Sequence, residues 1–238
     1  MKNILITGAG DGVGKAVAEM LKDENLILVD RDKMNLEKVA KSLSAKSFVC
    51  DITDTKQIEE LKNYVAKTFK NLDVLINCAG VWTKGEISQL KDAHFKKINT
   101  LERIKDLIDT NTFGTIAMVT TFSQLMLKNK RGQIVNICSQ SGVETEQFCP
   151  VYNASKHGIY YHRKAIQNDL AKNGIKITDV CPGLIKTNFY IRANDELPES
   201  IMQLGLEPQD VANCVKYVLD LPYEITIPSI EIRHIKNY

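Results

Sequence analysis

An excess of charge of either sign is missing from this chain: 31 Lys+Arg stand against 29 Asp+Glu, a net charge of +2 over 238 residues. Nucleic acid and anionic membranes call for a basic surface, so neither is expected as a partner. The short basic runs, Lys96-Lys97 and Lys128 with Lys130 and Arg131, have no interleaved aromatics and read as solvated helix ends. No uninterrupted apolar run approaches the roughly 18 residues that span a bilayer. The apolar stretch before Gly8 is too short for a signal peptide, and Ile235 to Tyr238 holds no cysteine for lipidation. The six cysteines (50, 78, 138, 149, 181 and 214) include no CxxC pair, and several sit in apolar, strand-like runs. Buried reduced thiols are therefore expected rather than a disulfide framework or zinc site, and the protein is expected to be cytoplasmic. No Pro/Gly/Ser-rich linker, internal repeat or low-complexity segment divides the chain, so residues 1–238 read as one domain.

What the chain does contain is alternation. With 44% hydrophobic and 25% charged residues the composition is that of a globular protein, not a disordered one. Asn3 to Thr7, Leu26 to Val29, Ser47 to Cys50 and Val74 to Ile76 are short, continuous and β-prone, as parallel strands buried on both faces are. Between them lie helical patterns over Gly14 to Lys22, Met34 to Leu43 and Ile58 to Phe69; Leu36, Val39, Ala40 and Leu43 recur at helical steps. The second half predicts a long helix near 103–129, a strand over Gln133 to Cys138, a helix from about Val151 to Lys172 and a strand over Ile175 to Cys181. A helix beginning at Pro208 and an edge strand over Ile225 to Ile232, with Pro228 inside it, close the pattern. Strand and helix alternating in this way predict an α/β fold: a single doubly wound, Rossmann-type domain with a mostly parallel sheet of about seven strands and helices on both faces.

The first strand runs directly into Gly8-Ala9-Gly10-Asp11-Gly12-Val13-Gly14 and then a helix. A helix N-terminus offers unpaired N–H groups and partial positive charge, which suit a phosphate, and glycines let the ligand approach the backbone. Gly8, Gly12 and Gly14 fit G-x-x-x-G-x-G rather than G-x-G-x-x-G; the position after strand one points to dinucleotide binding. Asp30 ends strand two, where a carboxylate accepts from an adenosine ribose and repels a 2′-phosphate. Asp11 adds a second negative charge and Arg31 a positive one, so two acids against one base favour NAD over NADP.

At the other end, Tyr152 and Lys156 are four residues apart, on one face of a predicted helix. A free tyrosine has a pKa of about 10, and a neighbouring ammonium is expected to lower it toward useful acid–base chemistry. Ser139 follows the strand ending in Cys138, at the carboxyl end where doubly wound folds hold their ligands.

With these residues in order, the chain resembles the short-chain dehydrogenase/reductase family over nearly its whole length. The shared pattern is TGAGDGVG at 7–14, Asp51 after strand three, Asn77-Cys78-Ala79-Gly80 after strand four, and Asn111 in the long helix. Ser139, Tyr152, Lys156, Pro182-Gly183 and Thr187 then follow in the family's order. The resemblance implies an NAD(P)-dependent oxidoreductase acting on a secondary alcohol or ketone. Tyr152 would be the general acid or base, Ser139 the partner of the substrate oxygen, Lys156 the partner of the nicotinamide ribose, and Asn111 the holder of a relay water. Gly8, Gly12, Val13 and Gly14 would lie along the pyrophosphate, with Asp51 and Ile52 beside the adenine. Asn77, Ala79 and Gly80 would line the ribose region, and Pro182, Gly183, Ile185 and Thr187 would meet the nicotinamide.

Residues 188–206 are expected to form a substrate lid, with Phe189, Tyr190, Ile191 and Met202 joining Gln140, Phe148 and Cys149 around a small-molecule substrate. His157 and His162 read as surface or interface residues, Trp82 as a packing residue near the site, and no ligand cluster suggests a metal. Residues 81–110 are longer than the family's usual stretch, the extra polar piece around Lys91 to Arg103 is expected to loop outward, the polar segment of about 84–105 is assigned no role, and the C-terminus is short. A homo-oligomer is expected, either a tetramer or a dimer built on the two long helices. The alternative reading is a catalytically silent dinucleotide-binding sensor on the same fold.

Overall fold

The short apolar runs become strands of one parallel sheet. A computed structural model describes residues 1–82, 100–145, 149–193 and 197–236. The strands are β1 (Asn3–Thr7), β2 (Asn25–Asp30), β3 (Lys46–Val49), β4 (Val74–Asn77), β5 (Gly132–Ile137), β6 (Ile175–Pro182) and β7 (Ser229–Ile232). They lie in the order β3-β2-β1-β4-β5-β6-β7, each parallel to its neighbours. The helices are α1 (Gly12–Met20), α2 (Lys33–Leu43), α3 (Thr55–Thr68), α4 (Leu101–Ile108), α5 (Thr115–Leu127), α6 (Pro150–Lys172), α7 (Glu199–Met202) and α8 (Pro208–Asp220).

Period-two alternation divides the apolar side chains between the two faces of the sheet. Ile4, Ile6 and Leu28 pack with Val17 of α1, Leu36 of α2 and Val211 and Val215 of α8. Leu5, Ile27 and Leu75 pack on the opposite face with Leu61 of α3 and Met118 and Phe122 of α5. Each such side chain contributes about 1.5–3 kcal/mol on full burial. The chain reverses its direction of winding between β1 and β4, which opens a crevice at their carboxyl ends. Thr7, at the end of β1, holds that crevice in shape: its Oγ1 accepts from the N–H groups of Cys78 and Ala79 at 3.2 and 3.3 Å.

Two expectations need correction. The helix anticipated near 103–129 begins at Leu101 and carries a π-helical turn over Asp109–Gly114. That turn holds Asn111 and Thr112, whose side chains bond Val81 and Ser155, so tertiary hydrogen bonds accompany the departure from α geometry. The last strand begins at Ser229 rather than Ile225, because Pro228 has no N–H to continue a ladder. The Pro228 carbonyl still accepts from Asp179 N at 3.0 Å, and the edge position is as expected. Of the polar segment 84–105, the stretch from Leu101 is α4, with Thr100 as its N-cap; residues 83–99 lie outside the described residues.

A polar row crosses the sheet below the crevice. Asn77, Asn136 and Asp179 are in register on β4, β5 and β6. Asn77 Nδ2 donates to Asn136 Oδ1 at 2.9 Å, and Asn136 Nδ2 donates to Asp179 Oδ1 at 2.9 Å. Arg163 of α6 closes the row by donating from Nε to Asp179 Oδ2 at 2.9 Å, with both side chains buried. Burial pushes the Asp179 carboxyl up to about 6 against the pull of Asn136 and Arg163. Stranding one partner of a buried pair costs about 3–5 kcal/mol, so Arg163→Met is expected to lower stability by about that much. Adding Asp179→Asn should recover part of the loss, since a neutral amide still offers an acceptor to Asn136. The folded pKa lies above the ordinary carboxyl value, so protonation favours the folded state; losing the guanidinium raises that pKa further, and the loss in Arg163→Met should shrink as pH falls toward about 6 and level off below it. Urea titrations of the single and double variants across that range check both points; equal, pH-independent losses would contradict them.

Candidate active site

A cavity of about 720 Å³ runs from the glycine loop to the ends of β4, β5 and β6. Gly8 (φ +65°) and Gly12 (φ +54°) occupy the left-handed region that favours glycine. A Cβ on Gly8 would stand 2.7 Å from Ala79 N, and one on Gly14 would stand 2.1 Å from the Gly8 carbonyl oxygen. The start of α1 is thus seated on bare backbone, leaving the loop open to a phosphate at the helix N-terminus. Asp30 is fixed by two backbone donors, Gly10 N to Oδ2 and Asp32 N to Oδ1, both 2.9 Å. Each carboxylate oxygen keeps a lone pair for a ribose hydroxyl. This chain's residues therefore fit a dinucleotide.

The chemistry-bearing groups converge at the other end. Ser139 follows β5 and caps the short turn Gln140–Gly142, its Oγ accepting from Ser141 N at 3.1 Å. Pro150 opens α6, and one turn on, Tyr152 and Lys156 share the face toward the cavity. The Tyr152 hydroxyl is hydrogen-bonded to Ser139. Lys156 Nζ donates to the Ile137 carbonyl at 3.2 Å and lies 5.7 Å from the Tyr152 ring centroid. α6 sits hard against the turn after Ser139: a Cβ on Gly142 would meet Lys156 O at 2.8 Å and Cys138 Sγ at 2.7 Å. Asn111 lies behind this group, fully buried, with Oδ1 accepting from Val81 N at 2.8 Å. Its Nδ2 donates to Val81 O and Ser155 Oγ at 3.0 and 3.2 Å.

The expected lowering of the Tyr152 pKa by Lys156 is not what this environment produces. Burial, first, and the neighbouring Tyr190 hold the phenol well above its ordinary value, with only the Ser139 hydrogen bond pulling it down. Burial also lowers the Lys156 ammonium. Tyr152 is 8% and Lys156 4% exposed, so desolvation disfavours phenolate and ammonium alike. The phenol keeps its proton. Burial likewise raises the Cys78 thiol to about 12, and all six cysteines are free, as expected of packed thiols.

Most of the anticipated residues line the one cavity: Gly8, Asp11, Gly12, Val13, Gly14, Asp30, Arg31, Asp51, Ile52, Ala79 and Gly80 on the dinucleotide side. Ser139, Gln140, Tyr152, Lys156, Pro182, Gly183, Ile185, Thr187 and Tyr190 line the rest. Asn77 does not; its side chain turns into the polar row below. Cys149 does not line the cavity; it is buried in a cluster with Leu107 and Tyr152, its thiol donating to Asn153 Oδ1 at 3.2 Å. Ile191 is 56% exposed, and Met202 lines a separate surface depression beside Lys15 and Pro208. Phe148 lies outside the described residues, as do residues 194–196 of the anticipated lid. Asp11 does not stand free as a second repelling charge: Oδ2 pairs with Arg192 at 2.9 Å and accepts from Asn188 Nδ2 at 3.2 Å, tying residues 188–192 to the glycine loop. Arg31 leans toward Asp51 (3.8 Å) and Asp106 (4.0 Å). Asp106 and Arg192 had no binding role in the sequence pattern, and the packing of α4 and the 188–193 segment brings them to the cavity; Trp82, expected as a packing residue near the site, lines it as well.

The sequence model of the short chain dehydrogenase family matches residues 2–198. An uncharacterized oxidoreductase of Staphylococcus aureus strain MW2 is 30% identical over 237 residues, covering 98% of this chain and 96% of its own. The closed form of a serine dehydrogenase complexed with NADP+ superposes with a TM-score of 0.89 at 25% identity, over 99% of this chain and 96% of that one. An actinorhodin polyketide ketoreductase variant with NADPH superposes with a TM-score of 0.84 at 27% identity, over 100% and 98%.

The Asp11–Arg192 pair is partly solvated, and such pairs contribute about 0–1 kcal/mol. Arg192→Ala should therefore leave the melting temperature almost unchanged while speeding proteolytic cleavage within 188–193. Cleavage at the parental rate would mean that the pair does not secure this segment.

Proposed function

The chain belongs to the short-chain dehydrogenase/reductase family, whose members are oxidoreductases, and from that premise we propose that it moves a hydride between a nicotinamide dinucleotide and a secondary alcohol or ketone, with Tyr152 as general acid and base. The observation that carries this reading is the Ser139–Tyr152 hydrogen bond facing a cavity continuous with the glycine loop, with Lys156 one helical turn behind. When bound, the nicotinamide supplies or accepts the hydride. In ketone reduction, the Ser139 and Tyr152 hydroxyls donate to the substrate oxygen, where negative charge grows, and Tyr152 passes its proton to that oxygen. A phenol that burial keeps protonated is ready for this direction. Lys156 would hold the nicotinamide ribose hydroxyls, and its amine would relay a proton from solvent to replace the one that Tyr152 gives up. Asn111 spends both amide hydrogens on Val81 and Ser155 and one Oδ1 lone pair on Val81 N, which leaves the other Oδ1 lone pair to accept from a relay water were one bound there.

Tyr152→Phe should still bind the dinucleotide and lose about 10²–10⁴-fold in turnover, the usual contribution of a positioned acid–base group. Reduction by the parent should stay level across neutral pH, while alcohol oxidation, which needs the phenolate, should climb as pH rises toward the raised Tyr152 pKa. Initial rates in both directions check this; parental turnover by Tyr152→Phe would dismiss the role.

We further propose that NAD is preferred to NADP. Support comes from Asp30, pinned by two backbone donors where a 2′-phosphate would lie, and from Arg31, turned toward Asp51 and Asp106. The solved neighbours named above carry NADP+ or NADPH, so the choice rests on this chain's own residues. NADH should bind more tightly than NADPH, and Asp30→Ala should narrow the gap by about tenfold, the worth of a hydrogen bond to a charged group. Titration by reduced-nicotinamide fluorescence measures both; tighter NADPH binding by the parent would show that the arginines prevail.

A further inference from the structure

Four aromatic rings meet at the catalytic end of the cavity. The Trp82 ring lies edge-on to Tyr152 with centroids 4.8 Å apart and to Tyr190 at 5.2 Å. Phe189 stands 6.2 Å from Tyr152 and 5.6 Å from Tyr190, again edge to face. Trp82, Phe189 and Tyr190 come from two loops remote in sequence, one after β4 and one after β6, and both loops deliver a ring to the Tyr152 ring. Leu197 and Ile201 extend this wall.

Charge is distributed in the opposite sense. Among the described residues, the charged side chains on the cavity wall are Asp11, Asp30, Arg31, Asp51, Asp106, Arg192 and Lys156. The first six lie toward the glycine loop or pair with one another there, and the Lys156 amine is committed to Ile137 O. A carboxylate or phosphate brought beside Trp82 and Tyr190 would lose water and gain no counter-charge among the described residues.

We propose that this enzyme's substrates are neutral carbonyl compounds, and the matching secondary alcohols, that carry an aromatic ring next to the reacting carbon, and that Trp82 is the residue that selects them. This rests on the oxidoreductase reading above. Ring exchange is the physical basis. To present its carbonyl to Ser139 and Tyr152, a substrate takes over the contact that Trp82 makes with the Tyr152 ring. An aryl group gives the displaced Trp82 ring a new edge-to-face partner, whereas a saturated group of similar volume gives it none, so the preference depends on the Trp82 ring. Aromatic pairs add about 0.5–1.5 kcal/mol beyond area burial, which corresponds to roughly 2- to 12-fold in affinity.

Trp82 is also the only tryptophan in the chain, so its emission reports on this site without turnover. The experiment has two arms. In the first, kcat/KM is measured with NADH for phenyl, cyclohexyl and methyl ketones and for an α-keto acid of equal length, in the parent and in Trp82→Leu. The phenyl ketone should exceed the cyclohexyl ketone by about 3- to 10-fold, the keto acid should be the poorest, and the phenyl-to-cyclohexyl ratio should approach one in Trp82→Leu. In the second arm, Tyr152→Phe is loaded with NAD and titrated with 1-phenylethanol and 1-cyclohexylethanol while Trp82 emission is followed. A saturable change, tighter for the phenyl alcohol, supports the proposal even if no ketone is turned over, in which case the oxidoreductase reading alone falls. Turnover with no phenyl preference, a preference for the keto acid, or a flat Trp82 signal overturns the proposal and leaves the oxidoreductase reading to stand on whatever turnover is seen.

Discussion

The seat of α6 on the end of β5 is the constraint from which the rest of the site follows. It is so close that residue 142 has no room for a side chain between Cys138 and the Lys156 carbonyl. On its other flank α6 packs on the π turn, where a Cβ on Gly158 would stand 2.7 Å from Thr112 and Thr112 Oγ1 donates to Ser155 O at 2.8 Å. Ser155 Oγ in turn donates to Tyr152 O at 2.7 Å. Small residues at 142, 155 and 158 thus let three backbone segments approach, and that approach sets where Ser139, Tyr152 and Lys156 stand relative to one another. Arg163, two turns further along the same helix, fixes it to the sheet through Asp179. Positioning of this kind supplies orientation before any substrate arrives.

Close packing has an electrostatic consequence. Excluding water from α6 raises the proton affinity of Tyr152 and lowers that of Lys156, so burial works against phenolate and ammonium alike. In the proposed reaction, a dry site would also strengthen the hydrogen bonds from Ser139 and Tyr152 to a substrate oxygen as charge develops on it. The same dryness suits the aromatic wall of Trp82, Phe189 and Tyr190, while the charged groups gather at the glycine loop. One cavity therefore has two distinct ends, one lined by paired charges at the glycine loop and the other by aromatic rings around Tyr152.

Much of this was legible in the chain itself, for reasons that can be named. Parallel strands buried on both faces must be continuous apolar runs, so β1, β2, β4, β5 and β6 were recognisable within about two residues. Gly8, Gly12 and Gly14, Asp30, Ser139, Tyr152 and Lys156 sit at strand ends or on one helical face, where local spacing predicts a shared cavity. Features created by tertiary contact were hidden. The π turn at Asn111, the capture of Asp11 by Arg192, the inward turn of Asn77 and Cys149 and the convergence of Trp82 with Tyr190 each join segments distant in sequence. The sign of the Tyr152 shift was also hidden, since spacing reveals the neighbouring amine but not the extent of burial.

The central claim is that burial, not the nearby amine, governs the Tyr152 proton in the free protein. Labelling with ¹³Cζ-tyrosine and assigning the Tyr152 resonance by its loss in a phenylalanine variant would follow that proton directly through a pH titration. The account predicts a phenol-like shift that persists beyond the range in which exposed tyrosines ionise, at about pH 10. A Tyr152 resonance moving to the phenolate position near neutral pH would contradict it.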